Sequence, residues 1–575
     1  MKRILTISIT LLTALFWAPS YALSITYEIH GLKEGPDYEN VTAVLKNLKA
    51  KFHDDTNIQN TQLMIKRTNE QINAALKPYG YFEAKTDTRL TTVEDGVHLR
   101  IKISPGPAIQ VSAVDIQIRG DAKHDPEFEQ LIRKLSPKVN HQLNTTDYDN
   151  LKKQLYNLSA MRGYFEASMT KSKIIINQPQ HQASIIIHFN SGQRYRFNNI
   201  TINENHYNPK FIKKFILIKP NQYFNSKLIE HSKKNLINTN AFQNVIVATQ
   251  KKDKQTKTVD ATITLKEKKP VQYILGAGYG TDTGVRGTLG ANFRRINSNG
   301  HQLESLIQAS QYNSSITATY KIPGNHPASQ ENLFGVAFGH IEQDTGTSDV
   351  QKVSYSYVTK KRQWHRIISL SALDEDYNIT DIPKTDARMI FPSINWSRRK
   401  ANSTLNPTHG LSTTINASGT PSFLSSKDTG FSQIRIDTNF LDSFSDNTFR
   451  ILLRNSIGRT EIENLSELPL SLQLFAGGSR SIRGYGYNSI GPGDNLVTGT
   501  VEFQKALPHL NSWYMASFID AGNVTDSDIR DDLKSSVGFG LVWLSPLGMM
   551  ELDLAFPIPK EDQGAHVSFS MGPTL

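Results

Sequence analysis

From Val271 onward the chain loses every helical period and alternates instead. In Gly548–Phe556, Met550, Leu552, Leu554 and Phe556 fall on one face, while Glu551 and Asp553 fall on the other. Val567, Phe569 and Met571 oppose His566, Ser568 and Ser570, and Val497, Val501 and Phe503 oppose Thr500, Glu502 and Gln504. A period of two with one apolar and one polar face is the pattern of strands. A soluble β-sandwich alternates in the same way. Runs of about ten residues, apolar outward and polar inward, also suit a transmembrane β-barrel, whose sheet must close because lipid cannot satisfy a free edge. Residues 271–575 have room for ~16 antiparallel strands at roughly 9–11 residues each, with the remainder in loops.

The other end of the chain decides between the two. Lys2 and Arg3 precede an apolar run from Ile4 to Trp17, and Ser20-Tyr21-Ala22 offers small residues for cleavage, so residues 1–22 read as a secretory signal. The run is shorter than the ~20 residues a spanning helix needs. The chain contains no cysteine, which removes disulfides, thiolate metal sites and cysteine nucleophiles. An exported, cysteine-free chain with an alternating C-terminal half points to an outer membrane.

The charge is uneven. Residues 23–270 hold 37 Lys and Arg against 24 Asp and Glu, and 191–270 alone hold 16 against 5. Residues 271–575 hold 25 against 29. Aromatic residues are not interleaved with the basic ones as stacking on nucleic acid requires, so no nucleic-acid partner is expected. Solvated faces, or a basic domain facing anionic lipid, account for the excess.

Before residue 270 the chain repeats. Gly80-Tyr81-Phe82-Glu83-Ala84 returns as Gly163-Tyr164-Phe165-Glu166-Ala167, with a weaker copy at Ala241-Phe242-Gln243-Asn244-Val245. Each copy closes a helix-like stretch, marked by Ile65/Ile72/Leu76, Leu151/Leu155/Leu158 and Leu228/Ile229/Leu236. Each then opens two alternating runs, and a further strand-like run begins each unit at Ser24–Ile29, Ile109–Ile118 and Tyr195–Ile202. Every unit therefore reads β-α-α-β-β. The glycine suits a helix-to-strand corner needing an unusual backbone angle, with the following aromatics packed under the helices. The expected division is a signal peptide at 1–22, modules at 23–105, 106–190 and 191–269, and a barrel at 270–575.

These modules resemble POTRA domains, and the barrel resembles the Omp85 superfamily. Ile482-Arg483-Gly484-Tyr485 matches the family's (V/I)RG(F/Y) loop signature, within Gly477-Gly478-Ser479-Arg480-Ser481-Ile482-Arg483-Gly484-Tyr485. Phe518-Ile519-Asp520-Ala521-Gly522 resembles its F-x-D-x-G strand, and Ser545-Pro546-Leu547-Gly548 its SPLG segment. Three repeats, the string Ser481 to Pro492 and the terminus Met571-Gly572-Pro573-Thr574-Leu575 are similar to the TamA-like branch, although that terminus departs from the superfamily's usual final phenylalanine.

The resemblance implies a long loop folded back into the lumen, with Arg483 an enclosed cation and Asp520 its carboxylate partner on an adjoining strand. Glu502 is a second candidate, because its alternation with Val501 and Phe503 points it inward. An enclosed guanidinium without acids would be costly, and Gly484 would let the loop approach the wall closely. The loop then acts either as a lock coupled to barrel opening or as a static brace. The family also implies a lateral gate where first and last strands meet. Gly276, Gly278 and Gly280 share one face of the first strand and Gly572 lies near the last. Glycine weakens strand pairing, although it also relieves crowding at a barrel wall.

No G-x-S-x-G, H-E-x-x-H, P-loop or dinucleotide fingerprint is present, so no catalytic residue, metal or cofactor is expected. The resemblance implies an outer-membrane factor with periplasmic modules, inserting autotransporter-type and other barrel proteins. A TamB-like, inner-membrane-anchored protein would be its partner and outer-membrane lipid its surroundings. A dedicated exporter of one secreted protein and a passive channel or receptor are the alternatives.

Overall fold

The structure, a computed structural model, describes residues 24–52, 61–93, 96–203, 205–253, 255–379, 384–546, 548–558 and 564–572. The signal segment at 1–22, Leu547 of the SPLG segment and the terminal Pro573-Thr574-Leu575 lie outside the described residues.

The first module runs β1 (Ser24–His30), α1 (Pro36–Phe52), α2 (Thr61–Leu76), β2 (Lys85–Val93) and β3 (Gly96–Ser104). The second repeats the order with β4 (Gln110–Arg119), α3 (Pro126–Leu135), α4 (Thr145–Arg162), β5 (Ser168–Asn177) and β6 (Gln182–Asn190). The third follows with β7 (Arg196–Ile202), α5 (Pro209–Lys213), α6 (Ser226–Asn238), β8 (Phe242–Asp253) and β9 (Thr258–Glu267). Each sheet places the third strand in the middle, in orders β1-β3-β2, β4-β6-β5 and β7-β9-β8. In the first two modules the opening strand pairs parallel with the central one. A parallel pair needs a long crossover, which the two helices provide. The helices cover one sheet face, and Leu151, Leu155 and Ile187 are among the fully buried residues of the second core.

The corner glycines do two jobs. Gly80 and Gly163 close their helices in the left-handed region at φ 83° and 88°. A side chain there would also meet the next module, since a Cβ on Gly163 would stand 2.6 Å from the Cβ of Phe224. The third copy is offset: Asn240 takes the left-handed angle at φ 60°, one residue before Ala241. Asparagine tolerates that conformation through its short polar side chain. The aromatics also divide. Tyr164 is buried in its own module and donates from its hydroxyl to Asp125 at 2.9 Å. Burial and that carboxylate push its phenol well above the ordinary value. Phe82, by contrast, packs into the second core, and Phe165 stacks edge-on against Tyr195 and Phe224. The second aromatic of each pair is thus a wedge between modules rather than a floor under its own helices. Gly163→Ala is expected to destabilise this junction by about 2 kcal/mol or more, because a left-handed non-glycine residue costs ~1–2 kcal/mol before any clash. Thermal unfolding of the variant tests it.

By packing, the chain divides into two compact units, and the division falls within the third module. Residues 201–218, 229–248 and 262–575 form the unit that contains the barrel. Inside it, the amide of Asn208 donates to the Ser298 carbonyl at 2.8 Å. Gly300 leaves room for the ring of Phe211, which would be 2.2 Å from a Cβ at that glycine.

The barrel is one 16-stranded antiparallel sheet in simple up-and-down order, from Val271–Gly280 to His566–Gly572. The strands alternate as the sequence suggests. Tyr273 and Leu275 are about four-fifths exposed on the outer face, while Glu502, Asp520 and Glu551 are buried on the inner one. Large apolar side chains on the outside of a closed sheet are the signature of a lipid-facing band.

Candidate functional site

The long connection between Phe449–Ile462 and Asn495–Ala506 enters the lumen as its own hairpin, pairing Leu474–Ala476 with Ile490–Gly493. Ile482 and Tyr485 are buried in a cluster with Leu474, Ile490, Leu496 and Val524, which anchors the loop by its apolar residues. Between them, Arg483 is fully buried. Its Nε and Nη2 donate to the two carboxylate oxygens of Asp520 at 2.8 and 2.9 Å, and its backbone amide donates to Oδ2 at 3.1 Å. Nη1 donates to Glu502 at 2.8 Å, and more distantly to Glu551 at 3.3 Å and Asp553 at 3.4 Å. The guanidinium lies 3.2 Å from the ring centre of Phe518. Gly484 allows this approach, because a Cβ there would come within 2.8 Å of Ser536 Cβ and 3.2 Å of Pro557 Cα.

One cation therefore meets four carboxylates. Charged groups in an enclosed, water-poor site interact strongly, and a fork-shaped donor engages a carboxylate through two parallel bonds. Arg454 adds a second cation, 3.6 Å from Glu551. A side-chain relay extends from Glu502 through Gln504, whose Nε2 donates to it at 2.5 Å, to Arg450, which donates to Gln504 at 2.8 Å. Sequence reasoning named Glu502 and Asp520 but missed Glu551 and Asp553. The signal was available, since alternation had put both acids on the inner face of Gly548–Phe556.

The loop also reaches the start of the barrel. The amide and hydroxyl of Ser479 donate to Asp282, at 3.0 and 2.5 Å, in the turn after the first strand. Nothing in the sequence marked Asp282. Loss of this tether in Asp282→Ala is expected to free the loop tip without unfolding the barrel, detectable as faster protease cleavage within Gly477–Ser481.

The first and last strands do not form a ladder. They touch where the Thr281 amide donates to the Phe569 carbonyl at 3.2 Å, the Phe569 amide donates to the Thr281 hydroxyl at 3.3 Å, and the Tyr279 and Phe569 rings stack at 6.4 Å. The first and second strands, in contrast, pair from Val271↔Phe293 to Gly280↔Gly284. The four seam glycines have crowded surroundings of a particular kind. A Cβ on Gly278 would lie 3.0 Å from Arg286 Nε, and one on Gly572 would lie 2.4 Å from Arg480 Nη2. Gly276 faces Thr288, and Gly280 faces Thr283 and the Phe569 carbonyl. Among the described residues, no three acidic, histidine or cysteine side chains are arranged to hold a metal ion.

Three α+β modules leading into a 16-stranded, nearly closed barrel with an apolar exterior and a pinned lumenal loop define an outer-membrane protein with periplasmic domains. The Omp85 superfamily domain matches residues 274–575, more than half of the sequence, and the chain belongs to that superfamily. Residues 26–105 match the POTRA domain described as TamA domain 1, and 195–268 match POTRA, the surface antigen variable number repeat. Among curated relatives, the outer membrane protein assembly factor BamA of Neisseria meningitidis serogroup B is 21% identical, over 86% of this chain and 71% of its own. BamA of Nitratidesulfovibrio vulgaris is 23% identical over 95% of this chain and 72% of its own. The fold resembles the crystal structure of BamA from Haemophilus ducreyi lacking POTRA domains 1–3, with a TM-score of 0.65 at 17% identity, covering 80% of this chain and 99% of that one.

Proposed function

We propose that this protein assembles other proteins into the outer membrane, autotransporter-type barrels among them, in concert with an inner-membrane-anchored TamB-like partner. The observation that carries the reading is the seam, where two barrel strands meet through a point contact in place of a ladder. An unpaired strand edge in lipid is a template for an incoming strand. Gly276, Gly278, Gly280 and Gly572 form the lateral gate, with Ile482, Arg483, Gly484, Tyr485, Glu502 and Asp520 as the lock that holds the loop while the gate is shut. The names of the two curated relatives as assembly factors support this reading, as does the match of the first module to a TamA domain. The first module would meet the TamB-like partner through a free sheet edge, since β1 and β2 are the outer strands of its sheet.

Photo-crosslinking residues placed singly along Val271–Thr281 in living cells test the seam. Adducts with barrel-forming membrane proteins are expected. Adducts with a single secreted protein would replace the assembly reading by a dedicated exporter, and adducts confined to the chain's own last strand would remove the gate. The basic third module would lie against the inner leaflet. Charge reversal at Lys213, Lys214, Lys233 and Lys234 is then expected to weaken co-sedimentation with anionic vesicles, and unchanged sedimentation would end that idea.

A further inference from the structure

Two arginines at the seam carry a consequence beyond gating. Arg286 sits on the second strand directly across from Gly278, and its side chain lies over that glycine. Arg480, on the lumenal loop, lies over Gly572 on the last strand. The two guanidinium groups are close enough to repel one another. Both line the same lumenal cavity of about 570 Å³ beside Ser481 and Ser570.

Both side chains are exposed, and Arg480 lies in the field of Arg286, Arg454, Asp282 and Glu551. Asp282 accepts from the Ser479 amide and hydroxyl and Glu551 is held by Arg454 and Arg483, yet both carboxylates still attract Arg480, and Asp282 lines the same cavity. Arg435, a third guanidinium on that cavity, pairs with Asp437 at 2.9 Å. Three guanidinium groups against the single Asp282 carboxylate leave the cavity lining with a positive excess, which favours an anion there. The glycines below Arg286 and Arg480 leave the space that their side chains use.

We propose that Arg286 and Arg480 form a phosphate-binding site on the lumenal side of the seam. A phosphate group suits it: free phosphate carries about −1.5 to −2 near neutral pH and a phosphodiester headgroup a permanent single negative charge, and either presents unesterified oxygens to the two donor forks. Serine hydroxyls complete the donor set. The phosphate comes either from a phospholipid headgroup entering at the seam or from free phosphate in the lumen. The second route needs no gate, so the site stands independently of the assembly reading.

The test uses the full chain. Native mass spectrometry after release from phosphatidylglycerol nanodiscs reports retained lipid, and calorimetry with inorganic phosphate reports the free anion. Arg286→Gln combined with Arg480→Gln is expected to reduce retention or affinity at least tenfold, with Arg388→Gln, a wall residue paired with Asp374, unchanged. Gly572→Val, whose side chain would displace Arg480, gives the same loss by an independent route should the double variant not fold. Retained lipid lost in these variants assigns a headgroup. Inorganic phosphate binding without lipid retention assigns the free anion. Equal binding by the wild type and both variants, or none by the wild type, overturns the site.

Discussion

Arg483→Ala is expected to abolish activity while Arg483→Lys retains a fraction of it. Removing the guanidinium deletes the bidentate pair to Asp520 and the bond to Glu502, and leaves Glu502, Asp520, Glu551 and Asp553 facing one another. Breaking a buried ion pair by removing one partner costs about 3–5 kcal/mol, largely through the unpaired charge left behind. Lysine restores the charge but not the fork, nor the flat face resting on Phe518. The four-acid geometry adds a sharper expectation. In the Arg483→Ala background, Glu551→Gln removes one of the mutually repelling carboxylates, so the pair of substitutions should be less damaging than the sum of the two alone.

The readouts separate a lock from a brace. Folded barrels migrate differently from heat-denatured ones in a gel, and protease access reports the loop. A lock predicts lost client assembly with a folded barrel and an exposed Gly477–Ser489 segment. A brace predicts that unfolding and lost activity rise together. Wild-type activity in Arg483→Ala would remove the cluster from the mechanism altogether.

How much of this was legible in sequence depends on the range of the interaction. Alternation in Gly548–Phe556 and around Val501–Phe503 is local, fixed by the two-residue pleat, and it placed Glu502, Glu551 and Asp553 correctly on the inner face. The corner glycines were legible for the same reason, since a backbone angle is a property of one residue. The local pattern does not say which inward side chains meet; the Arg483–Asp520 pairing was implied by the family resemblance alone. Arg483 collects acids from three different strands, and Asp282 reaches Ser479 across nearly two hundred residues of chain. Such contacts follow from barrel closure and loop entry, which no local pattern encodes. The seam glycines show the limit most plainly. Sequence offers two purposes for them, weakened pairing and relief of crowding at the wall or beneath the loop, without choosing, and in the structure Gly278 and Gly572 lie beneath the arginines of neighbouring segments. Both effects act on the same strands, and only the second is specific to position.

The seam gives the second large prediction. A disulfide between Thr281→Cys and Phe569→Cys is expected to lower client assembly by about tenfold or more, with full recovery on reduction. The chain has no cysteine of its own, so the engineered pair is the sole thiol pair in the molecule. The two positions are joined by the backbone bond that closes the barrel. A net intramolecular hydrogen bond is worth only ~0.5–1.5 kcal/mol, so parting this contact costs far less than separating the first and second strands along their whole paired length. The edge exposed by parting is different in kind. In hydrocarbon each unsatisfied backbone group costs several kcal/mol, which makes an open first strand a strong acceptor for any strand that can pair with it. Low cost to part and high gain on re-pairing is the combination that strand capture requires. A covalent link removes the first step without altering the second, and leaves the modules and the loop cluster untouched. If the oxidised protein, shown by gel shift to be fully linked, still assembled clients at the wild-type rate, capture at this seam would be excluded.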